Sequence, residues 1–506
     1  MDRLYVSVLT SKTNLPVPQF KSTRPACSLY NPEREALQFA EQTSPADIFL
    51  LLGAGAGYHL KELSARFPDA RFLVMEASED DINFLKQTMP EIKRLSVMPN
   101  ITIFPEDELE KMLLQNYLPA LYPSFSVLEL RSWCSERLEH TVEIRQKIKA
   151  VLEKISCDFA TQSHFGKIWQ HNILKNIPAV KDIKNLPLPV NKTAVIAAAG
   201  PSLDETADYI CRNRKNVYVI STDTAYQPLR RRGIFCDAVV SIDGQAVSQN
   251  HFAGTIDAES LFIFDIAANS QAVRKTAENG NQIIFSTSGH PLAELIQHIN
   301  GKKSFFPLTS GAGTVTMAAV DFAAKAGFSE ITVLGADFGY TGGKSYAKGT
   351  YLDILFKAGE NKLRTFETTF SALQYRSPLT RISAKKTTTK LLESYRISFE
   401  EWADQNGFTL ENDSEIYILH KREKDKAVAM PLNQSSIDIV RLKSVAKEFP
   451  AYKDFRTEEY DRSSPFQTAF LPFIAYLRKK EQYSSRPYKA LQNLALDDFV
   501  LYTKLL

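Results

Sequence analysis

The chain has 506 residues, 44% of them hydrophobic and 24% charged, usage that supports roughly three globular domains at about 150 residues each. Its 61 basic side chains nearly balance 58 acidic ones, and the net charge of +3 excludes a global field that would hold nucleic acid or an anionic membrane nonspecifically. Five scattered cysteines, Cys27, Cys134, Cys157, Cys211 and Cys236, form no CxxC pair, so neither a disulfide framework nor a zinc knuckle is written here.

The N-terminal residues MDRLYVSVLTSKTNLP lack a basic region followed by an apolar one, and no run reaches the ~18 apolar residues of a membrane span. A reduced, cytoplasmic, soluble protein is expected. Residues 47 to 90 then open with DIFLLLGAGAGYHLKELSARF, continue with RFLVMEAS and close on EDDINFLKQTM. Strand, glycine turn, helix and strand in that order predict a βαβ unit, hence a Rossmann-like N-terminal domain. In a nucleotide or S-adenosylmethionine site, Gly53, Gly55 and Gly57 would admit a close ligand and Glu76 would accept ribose hydroxyls. The alternative is a scaffold whose loop merely turns tightly. From about Ser132, apolar residues recur at helical spacing through HTVEIRQKIKAVLEKI and FGKIWQHNILKNI, until Pro178, Pro187 and Pro189 interrupt a helical connector.

Next come TAVIAAAG, NVYVIST, DAVVSID, SLFIFDIA, QIIFSTS, KSFFPL and EITVLGADF, with helical stretches such as TVTMAAVDFAAKAG between several of them. Short apolar runs separated by helices predict a second, mainly parallel sheet covered on both faces, with ligands gathered at the carboxyl ends of its strands. After about Met430, IDIVRLKSVAKEF and TAFLPFIAYLRKKEQ carry helical periodicity. The expected class is α/β, with two Rossmann-like domains over residues 1–165 and 166–430 and a helical domain over 431–506.

Within the central domain the strand ends carry small and polar residues. Gly200, Pro201 and Ser202 form a tight turn after an apolar strand, the grammar of a helix start that favours an anion such as phosphate. Asp223 ends VYVIST, Asp243 and Gly244 end DAVVSI, Thr309, Ser310 and Gly311 precede a helix, and Asp337 ends ITVLGA. Ser and Thr there either cap the helix or donate to phosphate, while Asp accepts from sugar or base groups. Tyr340 and Tyr346, beside Gly342 and Gly343, offer phenols that can bind a phosphate or protonate a leaving oxygen. Asp223, Asp243 and Asp337 could together hold one cation, although strand-end carboxylates more often bind hydroxyls or cap loops. No resident metal site is assigned.

The segments GPSL, STDTAY, SIDG, TSGAGTV and GADFGYTGGKSYA, in that order, resemble the central domain of the motility-associated factor (Maf) flagellin glycosyltransferases, and also bacterial CMP-sialic acid sialyltransferases. The match covers roughly residues 190 to 350, and a Rossmann-like domain before it with helices after it fits the Maf arrangement. The resemblance implies transfer of a nonulosonic acid such as pseudaminic or legionaminic acid from its CMP donor to Ser or Thr of flagellin, needed for flagellum assembly and motility, with no cofactor required and metal dependence open. It implies that Gly200, Pro201 and Ser202 border the nucleotide phosphate and that Asp223 takes the place of a nucleotide-binding Asn. Thr309, Ser310 and Gly311 would contact CMP and donor sugar, and Tyr340 and Tyr346 the departing phosphate. Ala199 stands where the sialyltransferases carry Asn, Gly339 is inserted before Tyr340, and no histidine lies between His298 and His420 to act as their general base. Asp243, Asp337 or the acceptor's own surroundings would then take the proton. GPSLD is shared with the 6-hydroxymethylpterin diphosphokinase-like family, so a diphosphotransferase is an alternative; a noncatalytic flagellin-binding protein is another.

Overall fold

The computed structural model describes residues 3–310, 313–363, 365–413, 416–425, 429–451 and 463–506. It divides into two compact units, Met1–Gly166 with Leu471–Leu491, and Lys167–Phe470 with Gln492–Leu506.

In the first unit, β1 (Tyr5–Thr10) and β2 (Pro16–Phe20) pair antiparallel. A separate parallel sheet holds β3 (Ile48–Leu52), β4 (Arg71–Glu76), β5 (Ile101–Pro105) and β6 (Phe125–Glu129) in the order β5-β4-β3-β6. The five residues of β3, IFLLL, are all buried, as expected of an interior parallel strand covered on both faces. The expected βαβ unit is present: β3 leads through the helix Tyr58–Arg66 to β4, with Leu50 opposite Leu73. The helix Leu138–Asn176 is 39 residues long, and its residues up to Gly166 belong to this unit.

The second unit is built on nine strands. These are β7 (Thr193–Ala197), β8 (Val217–Thr222), β9 (Ala238–Ser241), β10 (Leu261–Asp265), β11 (Ile283–Thr287), β12 (Phe306–Pro307), β13 (Glu330–Leu334), and two that follow a small three-stranded sheet, β17 (Phe408–Asp413) and β18 (Ile416–Lys421). Their order is β12-β11-β10-β9-β8-β7-β13-β18-β17, parallel through β13 and antiparallel thereafter. Alternation along the strands splits the core between two faces. Ile196, Ile220, Val240 and Ile263 share one cluster with Met317 and Phe322 of the helix Val315–Ala326. On the other face Phe262 and Phe264 stack at 5.8 Å, and Phe252 and Tyr226 meet them edge-on or tilted. The small sheet comprises β14 (Tyr340–Thr341), β15 (Thr380–Arg381) and β16 (Lys386–Thr388).

Beyond Met430 the chain is helical among the described residues, with helices Ile439–Glu448, Pro465–Thr468, Leu471–Arg478 and Tyr488–Thr503. Among the described residues no helix is long and apolar enough to cross a membrane.

Candidate active site

The sheet of the second unit reverses its direction of winding at β7. From β7 the chain proceeds to β8 on one side, and it later returns to β13 on the other. Doubly wound sheets bind ligands in the crevice outside the carboxyl ends at such a switch point. The turns that leave these two strands, Gly200–Ser202 and Gly335–Asp337, bond directly to one another. Ser202 donates to Asp337 Oδ2 from its hydroxyl at 2.9 Å and its backbone N–H at 3.2 Å, and Thr341 Oγ1 donates to Oδ1 at 2.9 Å. A Cβ on Gly200 would stand 2.0 Å from Asp337 Oδ2 and 2.4 Å from the Gly335 carbonyl, so glycine alone fits. The donors of Ser202 therefore face an internal carboxylate, and the helix that follows, Leu203–Thr206, is barely one turn.

Above this junction lies the tyrosine loop. The Ala347 N–H donates to the Ala199 carbonyl at 2.8 Å, and the Lys348 N–H to Asp204 Oδ1 at 3.0 Å. Tyr346 thus stands beside the Gly200 turn. Burial of its hydroxyl end, followed by the neighbouring Tyr351, Tyr340 and Asp223, pushes its pKa up, although 37% of the whole residue is exposed. Tyr351 is raised by burial and then by Asp243 and Asp223. Both phenols keep their protons at neutral pH and can donate them.

Asp223, 3% exposed, accepts from Ser241 Oγ at 2.7 Å through Oδ2 and from the Thr224 N–H at 2.6 Å through Oδ1. Asp243 accepts from Ser248 Oγ at 2.7 Å and from the Gln245 N–H at 2.9 Å. Asp223, Asp243, Tyr340 and Tyr346 thus form one neighbourhood, joined to Gly200, Pro201, Ser202 and Asp337 through the bonds above. Thr309 and Ser310 stand apart in their bonding. They follow β12, five strands from β7. The Thr309 N–H is held by Asp321 Oδ2 at 2.7 Å, and the Ser310 carbonyl accepts from Gly313 and Thr314. Among the described residues no hydrogen bond links either to the Asp223 neighbourhood. Gly311 lies outside the described residues.

Several contributors escaped the reading of motifs. Tyr351 is one, and His251 is another: its ring meets Tyr351 edge-on at 4.8 Å between centroids. The signal was its place on the loop after β9, at the carboxyl edge. Asn172 and Asn176 are a third case. Asn172 Nδ2 donates to the carbonyls of Gly244 at 2.9 Å and Ala267 at 3.1 Å, and Asn176 Nδ2 to Ile266 and Ala268, both at 2.9 Å. Both asparagines are buried and fasten the turns after β9 and β10. Asp265, at the end of β10, accepts from Ala267 and Ser288, yet burial lifts its pKa to about 6. Among the described residues no three His, Cys, Asp or Glu side chains converge to hold a metal ion.

The glycine loop of the first unit is filled by protein. Trp133 occupies it so closely that a Cβ on Gly53 would lie 2.5 Å from Trp133 Cγ. Glu76 is fully buried and accepts from the Ala54 N–H at 2.6 Å, Trp133 Nε1 at 2.9 Å, Tyr5 OH at 3.0 Å and the Ala77 N–H at 3.2 Å. Its oxygens face no open space. Of the two expectations for this loop, the tightly turned scaffold describes what the structure holds.

Fold and crevice together define a doubly wound α/β protein whose candidate site lies at the switch point of its sheet. Residues 170–343 match the family described as 6-hydroxymethylpterin diphosphokinase MptE-like. A Treponema pallidum (strain Nichols) protein described as uncharacterized is 30% identical over 246 residues, 48% of this chain and 76% of that protein. A second uncharacterized protein of that organism is 33% identical over 140 residues, 27% of this chain and 66% of that one. The chain belongs to the same family as the first of these relatives, and the MptE-like match is confined to its central part, residues 170–343. Among solved structures, the Maf glycosyltransferase from Magnetospirillum magneticum AMB-1 aligns with 100% of this chain and 92% of its own, at 12% identity and a TM-score of 0.47.

Proposed function

We propose that the protein is a glycosyltransferase that moves a nonulosonic acid, of the pseudaminic or legionaminic type, from its CMP donor to Ser or Thr hydroxyls of flagellin in the cytoplasm. The reading is carried by the protonated phenols of Tyr346 and Tyr351 beside Asp223 and Asp243, gathered with Tyr340 at the switch point. A leaving CMP gathers negative charge on its phosphate as the bond to the anomeric carbon breaks. Phenol O–H groups placed there stabilise that charge without solvent reorganisation. The acceptor oxygen forms the new bond to the anomeric carbon, CMP departs with the electron pair, and the acceptor's proton passes to a base. Asp243 and His251, on one loop, are the groups this chain offers for that proton. Ser202 and Asp337 hold the two turns together, and Thr309 and Ser310 remain the proposed contacts to CMP.

Intact-mass analysis of flagellin co-expressed with the protein and a CMP-nonulosonate pathway tests the reading. A sugar-sized mass increment is expected; its absence, with the donor demonstrably present, refutes it. The match of residues 170–343 to an MptE-like family supports a second reading, diphosphate transfer from ATP to a pterin. AMP release dependent on a hydroxymethylpterin, with no turnover of CMP-sugar, would establish the second reading in place of the first.

A further inference from the structure

Between Tyr340 and Lys390 the chain carries ten Lys and Arg against three Asp and Glu, a net of +7 in a protein whose total is +3. The same segment exposes apolar side chains that a folded domain ordinarily hides. The helix Tyr351–Ala358, YLDILFKA, has no buried residue. Ile354 is 51% exposed, Leu355 57%, Leu363 97%, Tyr375 74% and Ile382 53%, and Leu391 just beyond is 59% exposed. So many exposed apolar side chains within one stretch of chain, on an otherwise well-buried unit, point to an interaction face.

This segment, Tyr340 to Lys390, forms a flap rooted in the candidate site. At one end Tyr340 pairs with Thr387, and the Gly342 N–H donates to the Lys385 carbonyl at 2.8 Å. At the other, Tyr351 begins the apolar helix while its phenol lies near Asp223 and Asp243. Whatever covers the flap is therefore continuous with whatever enters the site.

We propose that the flap is the docking surface of an acidic polypeptide, whose apolar side chains cover Ile354, Leu355 and Leu363 while its carboxylates meet the surrounding Lys and Arg. The inference rests on the transferase reading only in giving that polypeptide's hydroxyl a fate; the docking itself needs no donor. Charge selects the partner, because a neutral apolar segment would leave the +7 surface uncompensated and a basic one would be repelled. Continuity with the crevice favours a chain over a bilayer, since one side chain of an extended or helical segment can enter the site while its neighbours lie on the flap.

The test is equilibrium binding without CMP-sugar, using the full chain and a fluorescein-labelled 20-residue peptide of Glu, Leu and Ser in amphipathic order. Its counterpart with Lys for Glu and vesicles of phosphatidylserine and phosphatidylcholine serve as the other arms. The acidic peptide should bind, weaken with added salt, and lose about tenfold or more in affinity when Lys362→Glu, Arg376→Glu and Lys385→Glu are combined. Leu355→Ser should weaken it independently of salt. Equal binding of the two peptides, or binding unchanged in the charge-reversed variant, overturns the proposal. So does vesicle capture without peptide binding, which would make the flap a membrane contact, or a dimer abolished by Leu355→Ser in sedimentation, which would make its occupant a second copy. Peptide binding with no sugar transfer leaves docking intact and refutes the transferase reading alone; transfer to a small acceptor without peptide binding does the reverse.

Discussion

Asp337 supplies the side-chain bonds between the two turns of the switch point, beside the backbone bond from the Gly200 N–H to the Gly335 carbonyl at 2.8 Å, and its removal has a calculable result. The carboxylate is 4% exposed and accepts from the Ser202 hydroxyl at 2.9 Å, the Ser202 N–H at 3.2 Å and the Thr341 hydroxyl at 2.9 Å. Hydrogen bonds to a charged group contribute about 1.5–3 kcal/mol each, and a buried donor left alone costs about 1–3 kcal/mol. The two hydroxyls can rotate toward new partners, whereas the Ser202 N–H cannot. Asp337→Ala should therefore cost about 3–5 kcal/mol. Asp337→Asn keeps an oxygen toward Ser202 and turns its NH2 toward the Thr341 hydroxyl, so its cost should be about 1–2 kcal/mol. Hydrogen exchange followed by mass spectrometry reads the effect locally. Segments 198–206 and 335–341 should exchange faster in Asp337→Ala than in Asp337→Asn, with urea unfolding midpoints in the same order. Wild-type exchange in both segments of the alanine variant would refute the argument that the carboxylate joins the turns.

Three further outcomes follow from the same structure. Trp133→Phe keeps most of the ring in the glycine loop but withdraws the Nε1–H bond to Glu76, so urea unfolding should show a loss of about 1–3 kcal/mol; unchanged stability would count against the internal role of Glu76. Asp265 has a folded pKa lifted from 3.8 to about 6, so the native state favours its proton: the associated stability is full below pH 3.8 and is lost as pH rises through about 6. The loss is about 3 kcal/mol, and Asp265→Asn should remove it, making wild type fall relative to the variant between pH 4 and pH 7 in denaturant titrations; parallel pH profiles would sink this. Tyr346→Phe and Tyr340→Phe should each lower sugar transfer by about 10²–10³-fold while donor affinity measured by calorimetry changes far less, and an equal loss in both quantities would place the phenols in ground-state binding instead.

Much of the architecture was legible because the strands write their own environment. IFLLL has no polar residue and VYVIST no charged one, and each is wholly buried in a parallel sheet. The Gly200 turn, Asp223, Asp243, Asp337 and the two tyrosines were readable as strand-end residues, because a doubly wound sheet sends its loops to one edge. What the turns do with their donors was not readable. Ser202 and Asp337 are 135 positions apart, and nothing local tells a Ser at a turn that its partner is a carboxylate instead of a phosphate. Glu76 shows the same limit: its spacing from the glycines suits a ribose ligand as well as a tightly turned scaffold, and only the fold brings Trp133 into that place. Tyr351, His251 and Asn176 carried no motif at all, since their roles come from packing between segments distant in sequence. Strand β17 was missed because four of the six residues of FTLEND are exposed, which blurs its alternation.

The departures from the sialyltransferase pattern have a common physical origin in how the chain leaves β13. Phe338 holds φ at +46°, a left-handed conformation that costs a non-glycine residue about 1–2 kcal/mol. Ring contacts with Phe399 at 5.7 Å and Tyr417 at 5.9 Å, and a bond from Thr388 Oγ1 to its carbonyl at 2.9 Å, hold it there. That reversal lets Asp337 turn back to Ser202 while the chain goes on to pair Tyr340 with Thr387. The next residue must then pass against the partner strand, and a Cβ on Gly339 would lie 2.7 Å from the Thr387 carbonyl. The inserted residue is thus a glycine by steric necessity. Ala199 belongs to the same rearrangement: it is 8% exposed, and its carbonyl receives the Ala347 N–H. In this chain the position instead anchors, through its backbone carbonyl, the loop that carries Tyr346.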